Sequence, residues 1–550
     1  SSDVCSSDLT PDGGIIRIEK IFLSDAQRVP DGGITAARIV VEGIEGTGIV
    51  GTLVIDRLDV TDVTLPARSF GDASPAPALG RARAGNVRIG SARLDAAESA
   101  LGFRSAILTD LDGRRLNGLS VQGAEFEFAT GQDPEGLGLS IDKVSFSGIE
   151  AGDDGLIGAK RVVADAVEVG GDPGTVVVDK LDITGASFPS LPPVARPGGA
   201  VLDLVSAKDV AIRGARVTGD EVAMEFRSAV LSGIAGRRLD TLSVQGAEIE
   251  LSKGGRSRPV GINVDKVSFS GIVAGNDGQI GAEKIVAGAV EVGADPGRVF
   301  LDGFDITGAS FPGRLGAAET AGHILDLMSA RNVAVRGARL VGGEGEIGFR
   351  SAVLSGVAGR RFDSLSVQGA EIELSEGMRS APLGISVERF SLAGVGQVAE
   401  GKLGVERVVA DAVEVGGEGG TFLLDRLDVT RAAYPERALA DYSLTDVLDL
   451  LSAKHIQVRG GRLSAREAAF GFRLAILTGL DDRRLEELSI SGAELAVAEG
   501  RDPRMIEIKV DRLSLAGIEK AARGTIGAEK ILADAVAIGE GDRTLVVDRL

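Results

Sequence analysis

The sequence predicts an all-β repeat protein: an elongated, mainly antiparallel sheet array of 123-residue copies with a short connector helix. Three observations predict it. The first is a phrase that returns at fixed spacing. It reads IDKVSFSGIE at Ile141, VDKVSFSGIV at Val264, VERFSLAGVG at Val387, VDRLSLAGIE at Val510 and, in divergent form, IEKIFLSDAQ at Ile18, each start 123 residues after the last. The second is a landmark with the same step: Leu65-Pro66, Phe188-Pro189, Phe311-Pro312 and Tyr434-Pro435. No net insertion separates the copies, and a fixed period of this kind decides the architecture before any local reading. The third is the alternation inside each copy. Leu181 and Ile183, Val210 and Ile212, and Leu242 and Val244 are each two apart with a polar or small residue between, the pattern of a half-buried strand.

Taken in order, residues 1–9 (SSDVCSSDL) read as a non-native, adapter-like tail and 10–17 as a leader. Repeat 1 is divergent and covers 18–140. Repeats 2, 3 and 4 cover 141–263, 264–386 and 387–509, and a truncated repeat 5 covers 510–550. Both ends read as cuts in something longer.

Within repeat 2, six strands are expected near 141–149, 157–169, 175–188, 208–217, 221–231 and 240–251. Three of them carry one phrase, LDITGASF, VAIRGARV and LSVQGAEI, while VVADAVEV is a form without glycine. After the glycine the apolar phase slips by one: Phe188, Val217 and Ile249 are an odd number of positions from their partners. A glycine at such a break points to a β-bulge or a strand corner. A helix is excluded, since a central glycine costs about 1 kcal/mol there and β-branched residues add to it. The joints AGDDG, GGDPG and TGDE have the length and chemistry of hairpin loops. They are too short for a parallel crossover. One joint differs. VLDLVSA (Val201–Ala207), ILDLMSA (Ile324–Ala330) and VLDLLSA (Val447–Ala453) follow longer segments. With Ser443 and Asp446 as cap residues before the last of these, they read as one- to two-turn helices. Repeat 1 has ASPAPALGRARAG at this place, so the helix is dispensable.

Composition narrows the function. The net charge is −20, which opposes a nucleic-acid partner, because such binding relies on Lys and Arg to neutralise phosphates. The single cysteine, Cys5, lies in the adapter-like tail; no disulfide framework, thiolate metal site or cysteine nucleophile is expected. His323 and His455 are the only histidines and are not equivalent in the repeat. A multi-imidazole site is therefore not expected. GGEGEIG (Gly342–Gly348) contains G-x-G-x-x-G but precedes a strand-like FRSAVLSG, so it reads as a turn rather than a dinucleotide fingerprint. GNDG and its relatives read as hairpin turns before calcium sites, and the basic GGRSRP (Gly254–Pro259) as a solvated loop. With only 4% aromatics and no Trp, the apolar material is Val, Ile, Leu and Ala. No cofactor, metal or catalytic residue is expected, and the chain reads as no enzyme.

An array of meandering strands followed by a longer connector resembles the repeating β-groove architecture of AsmA-like bacterial envelope proteins and bridge-like lipid-transfer proteins. The resemblance is one of pattern over residues 18–550. It implies a trough whose apolar lining carries acyl chains, a place in the cell envelope (periplasmic or extracellular) of a bacterium, and phospholipid or a membrane as partner. The alternating residues supply the lining: Val144, Phe146, Leu181, Ile183, Val210, Ile212, Leu242, Val244, Val267 and Phe269. The alternative uses the same residues in a closed β-solenoid, with each glycine a corner, acting as a surface adhesin or structural stalk. No nucleic acid is expected in either case.

Overall fold

The computed structural model describes residues 15–30, 33–48, 51–65, 82–96, 99–130, 133–152, 156–171, 174–189, 205–219, 222–251, 260–275, 279–294, 297–312, 328–342, 345–359, 361–374, 383–399, 402–435, 452–465, 468–481, 484–498, 505–520, 526–540 and 543–550. Among them are 31 strands, all antiparallel, and no helix. The chain divides into two compact units, Ser1–Ala274 and Gly275–Leu550.

In the first unit, the divergent copy gives β1 (Ile15–Ser24), β2 (Gln27–Arg28), β3 (Ile34–Gly48), β4 (Gly51–Leu65), β5 (Arg83–Ile89), β6 (Ala92–Asp95), β7 (Ser99–Phe103), β8 (Ser105–Asp112) and β9 (Arg115–Thr130). Then follow β10 (Asp133–Ala151), β11 (Leu156–Gly171), β12 (Gly174–Pro189), β13 (Ser206–Gly219), β14 (Val222–Ala235), β15 (Arg238–Leu251) and β16 (Val260–Ala274). The expected six strands of repeat 2 are β10 to β15; β10 begins eight residues earlier than expected and the others differ at their ends by up to four residues. The phrase starts at Ile141 and Val264 fall inside β10 and β16, so the period marks a phase within a strand rather than a strand boundary.

The second unit holds β17 (Gln279–Ala287), β18 (Val290–Ala294), β19 (Gly297–Pro312), β20 (Ser329–Gly342), β21 (Gly345–Ala358), β22 (Phe362–Leu374), β23 (Leu383–Ala399) and β24 (Lys402–Gly417). It continues with β25 (Gly420–Pro435), β26 (Ser452–Ala465), β27 (Ala468–Asp481), β28 (Arg484–Ala498), β29 (Met505–Lys520), β30 (Ile526–Glu540) and β31 (Arg543–Arg549). β17 and β18 correspond to the single β11. Gly288 stands where β11 has Asp165, and a glycine there weakens the strand enough to interrupt its ladder.

Pairing follows chain order. β10 to β16 form a meander in which each strand pairs with the next, and β19 to β31 do the same. A closed solenoid would stack successive turns as parallel strands, so that alternative is overturned. The expected connector helices, 201–207, 324–330 and 447–453, lie mostly outside the described residues, and where they are described the chain is not helical. Ser206 and Ala207, with their counterparts Ser329–Ala330 and Ser452–Ala453, begin β13, β20 and β26. GGEGEIG spans the junction of two antiparallel strands rather than a strand and a helix: Gly342 at the end of β20 pairs with Gly345 at the start of β21. The basic loop Gly254–Pro259 lies outside the described residues.

The glycine breaks have a specific geometry. Between β14 and β15 the ladder pairs Phe226 with Ala247 and Ser228 with Gln245, passing over Arg227 and Gly246. It passes over Gly233 and Asp240 in the same way. Gly246 has φ +60 and Gly233 φ +67. Both strands step aside together, so the register does not shift, and the breaks are corners rather than bulges with an extra residue. Their effect is to re-phase the alternation. On β13, Ala207, Val210, Ile212, Ala215 and Val217 face Ile234, Leu231, Ala229, Phe226 and Met224 on β14. Every one of these pairs is apolar, although 207 to 210 and 212 to 215 are odd steps. One apolar face therefore persists through both corners.

Among the described residues the buried apolar side chains are Ala, Val and a single Ile, Ile285; no large side chain is fully buried and no polar residue is buried. In a two-layer sandwich, side chains of the facing sheets interdigitate to form the core. Here the Leu, Phe and most Ile side chains stay half open to solvent.

Candidate functional site

The ten residues expected to line a groove fall into two adjacent rows on one face of the first unit. Directly opposed residues of neighbouring strands share a face. One row runs through Val144, Ala164, Leu181, Ile212, Ala229, Val244 and Val267. The other runs through Phe146, Val162, Ile183, Val210, Leu231, Leu242 and Phe269. Val144 is 9% exposed and anchors a buried cluster with Ala159, Val162, Ala164 and Ala186, against which Phe146, Leu181 and Ile183 pack. The remaining lining residues are half-buried.

The rows extend beyond those ten. In the first unit the second row starts at Leu23 and reaches Phe269 across thirteen strands, every position Val, Ile, Leu or Phe. In the second unit its counterpart runs from Ile285 to Ile531, again across thirteen strands and aliphatic throughout. Sequence reasoning named neither Val162, whose strand carries the phrase without its glycine, nor Leu231, whose VLSGI is a shortened form of it. Continuing the 123-residue phase through VVADAVEV would have found Val162.

The opposite face mixes apolar and charged residues and is braced by ion pairs across its strands. Arg161 on β11 pairs with Asp182 on β12 at 2.5 Å, and its counterparts are Arg38 with Asp59, Lys284 with Asp305 at 2.9 Å, and Arg407 with Asp428 at 2.6 Å. The guanidinium hydrogen bonds hold the carboxyls of Asp59, Asp182 and Asp428 below the usual aspartate range. These acids are 13%, 26% and 16% exposed, so solvent screens the pairs only in part. A depressed folded-state pKa contributes stability that is complete above the unfolded value, about 3.9, and is lost as pH falls through the folded value. Thermal melts between pH 5 and pH 2 are therefore expected to drop less steeply for Asp182→Asn than for the parent chain. At neutral pH that substitution should cost on the order of 1 kcal/mol. Parallel pH curves for the two proteins would contradict the assignment.

A second recurrent brace crosses the corners. Arg104 reaches Asp142 at 2.9 Å and Arg227 reaches Asp265 at 3.6 Å, in each case two strands away. Each passes over the glycine between, Gly123 or Gly246; Arg350 and Arg473 lie over Gly369 and Gly492 in the same manner. Among the described residues no group of three or more His, Cys, Asp or Glu is placed to hold a metal. His455 sits on β26 between Thr430 and Thr478, while His323 lies outside the described residues.

No protein-family model matches the chain, and no curated protein matches it. The functional argument therefore rests on the apolar face itself.

Proposed function

We propose that the protein is a non-enzymatic repeat scaffold of a bacterial cell envelope that holds or conducts lipid acyl chains along its apolar face. The observation that carries this reading is the unbroken apolar row, thirteen strands long in each unit, with most of its side chains left half open. An apolar sheet face is normally covered by another layer. Covering it gains roughly 1 kcal/mol per half-exposed Val, Leu or Ile at about 25 cal/mol per Å². Acyl chains suit the lining because it is aliphatic, repeats from strand to strand and sets no single stereospecific pocket. A membrane would then serve as donor or acceptor of the lipid.

The test is lipid content. The 550-residue chain, purified without detergent, is extracted and analysed by mass spectrometry. Several phospholipids per chain are expected, with no strong headgroup preference along the array. Soluble, monomeric and lipid-free protein would leave the face without this occupant and turn the reading toward a structural rod.

A further inference from the structure

One place in the second unit departs from the repeat at several positions at once. It is a depression of about 500 Å³ whose lining includes Arg361, Gly396, Gly404, Glu406, Arg431 and Ala433. Its floor follows from the register. Gly396 on β23 pairs with Gly404 on β24, which pairs with Ala433 on β25. Three neighbouring strands thus present glycine or alanine on one face and leave a dent. Arg361 lies over Gly396 and Glu406 over Gly394, while Arg431 stands beside Ala432 on β25.

The other copies are built differently here. Where Gly396 stands, they have Glu150, Val273 and Glu519. Two of those acids bind the arginine that corresponds to Arg361: Arg115 meets Glu150 at 2.9 Å and Arg484 meets Glu519 at 2.6 Å. In this copy the acid is absent. Where Arg431 stands, they have Asp62, Gly185 and Gly308. Arg431 keeps their left-handed backbone, with φ +53, a conformation that a long side chain occupies at an energetic cost. Asp62 shares this conformation at φ +54, but only this copy puts a long cationic side chain there, and strain kept under a functional group points to a use for it. Among the described residues, the side chains of Arg361, Arg431 and Glu406 take part in no ion pair or hydrogen bond.

We propose that this dent binds a phosphate group. Two guanidiniums without an internal acid partner supply planar, fork-shaped donor sets that match phosphate oxygens. The side-chain-free floor lets the anion approach the sheet backbone. Glu406 brings the cluster of three to a single net positive charge and can accept the remaining hydroxyl proton of a hydrogen phosphate or phosphomonoester. The surrounding chain has a net charge of −20, so a local positive pair is a selective feature rather than part of a general basic surface. The proposal does not depend on the apolar face holding lipid.

The experiment uses the full chain with two probes: inorganic phosphate by titration calorimetry, and flotation with phosphatidylcholine vesicles with or without phosphatidic acid. Two substitutions restore what other copies carry. Arg431→Gly relieves the strained backbone, and Gly396→Glu gives Arg361 an internal partner, so both should melt no lower than the parent. The expected result is phosphate binding weakened at least tenfold in each variant. If free phosphate does not bind but phosphatidic-acid vesicles float with the parent and not with the variants, the phosphate is lipid-borne. The proposal is overturned if the parent binds neither probe, or if both variants bind as the parent does. Lipid-free protein that still binds phosphate would sink the acyl-chain reading and leave this site standing.

Discussion

Gly246→Val is expected to unfold its own neighbourhood and leave distant copies intact. Gly246 has φ +60, and a Cβ built there would collide with the guanidinium of Arg227 as it crosses toward Asp265. A β-branched residue in the left-handed region costs about 1–2 kcal/mol, and crowding in a packed setting adds roughly 1–3 kcal/mol. The Arg227–Asp265 pair is exposed and adds little. On the order of 2–5 kcal/mol is a large share of one copy's stability, since a domain has only about 5–15 kcal/mol in total. Stability in such an array is close to a sum of nearest-neighbour terms, so the loss should stay local. Hydrogen exchange followed by mass spectrometry should show faster exchange in β14, β15 and β16 and unchanged exchange in β24 to β28. A uniform rise across the whole chain would mean that the copies fold as one unit.

Leu242→Asp combined with Val244→Asp is expected to remove lipid from the middle of the first unit without unfolding it. These residues are half-buried on β15, in the two adjacent apolar rows. Their carboxylates can remain hydrated while the face is open, but an acyl chain laid over them would strip that water, at several kcal/mol per ion. The fold should therefore lose little, and the phospholipid recovered per chain should fall by a measurable fraction. Ser243→Asp provides the control. Ser243 lies between them on the other face, opposite Val230 and Ser268, so it should leave lipid content unchanged. Equal lipid in the double variant and the control would disconnect the apolar rows from ligand binding.

Both substitutions rest on features that differ in how they could be known. The 123-residue period, the six strands of a copy and the apolar alternation are local in the chain, so they could be read from residues such as Val210 and Ile212 alone. Short Gly- and Asp-rich joints then required antiparallel neighbours, because no crossover fits in so few residues. That the ten residues named from the sequence share a face was legible for the same reason: period-2 alternation assigns a face to each strand without knowing its partners.

What the chain could not declare was register across strands. The phase slip after Gly246 was visible, but a single strand cannot tell a bulge from a corner. Only the pairing of Phe226 with Ala247 and Ser228 with Gln245 establishes that both strands break together. The choice between an open meander and a closed solenoid depended on partners in the same way. So did the braces: Arg227 and Asp265 are 38 positions apart in the chain and meet because β15 between them offers a glycine to pass over. The Arg361–Arg431 dent is the extreme case. Its residues come from three strands and from Arg361 just before β22, and they matter because the floor between them is glycine and alanine. Local sequence determines the identity and face of a strand through backbone geometry. Tertiary structure alone decides which residues face one another across it, because hydrogen-bond register is a property of pairs.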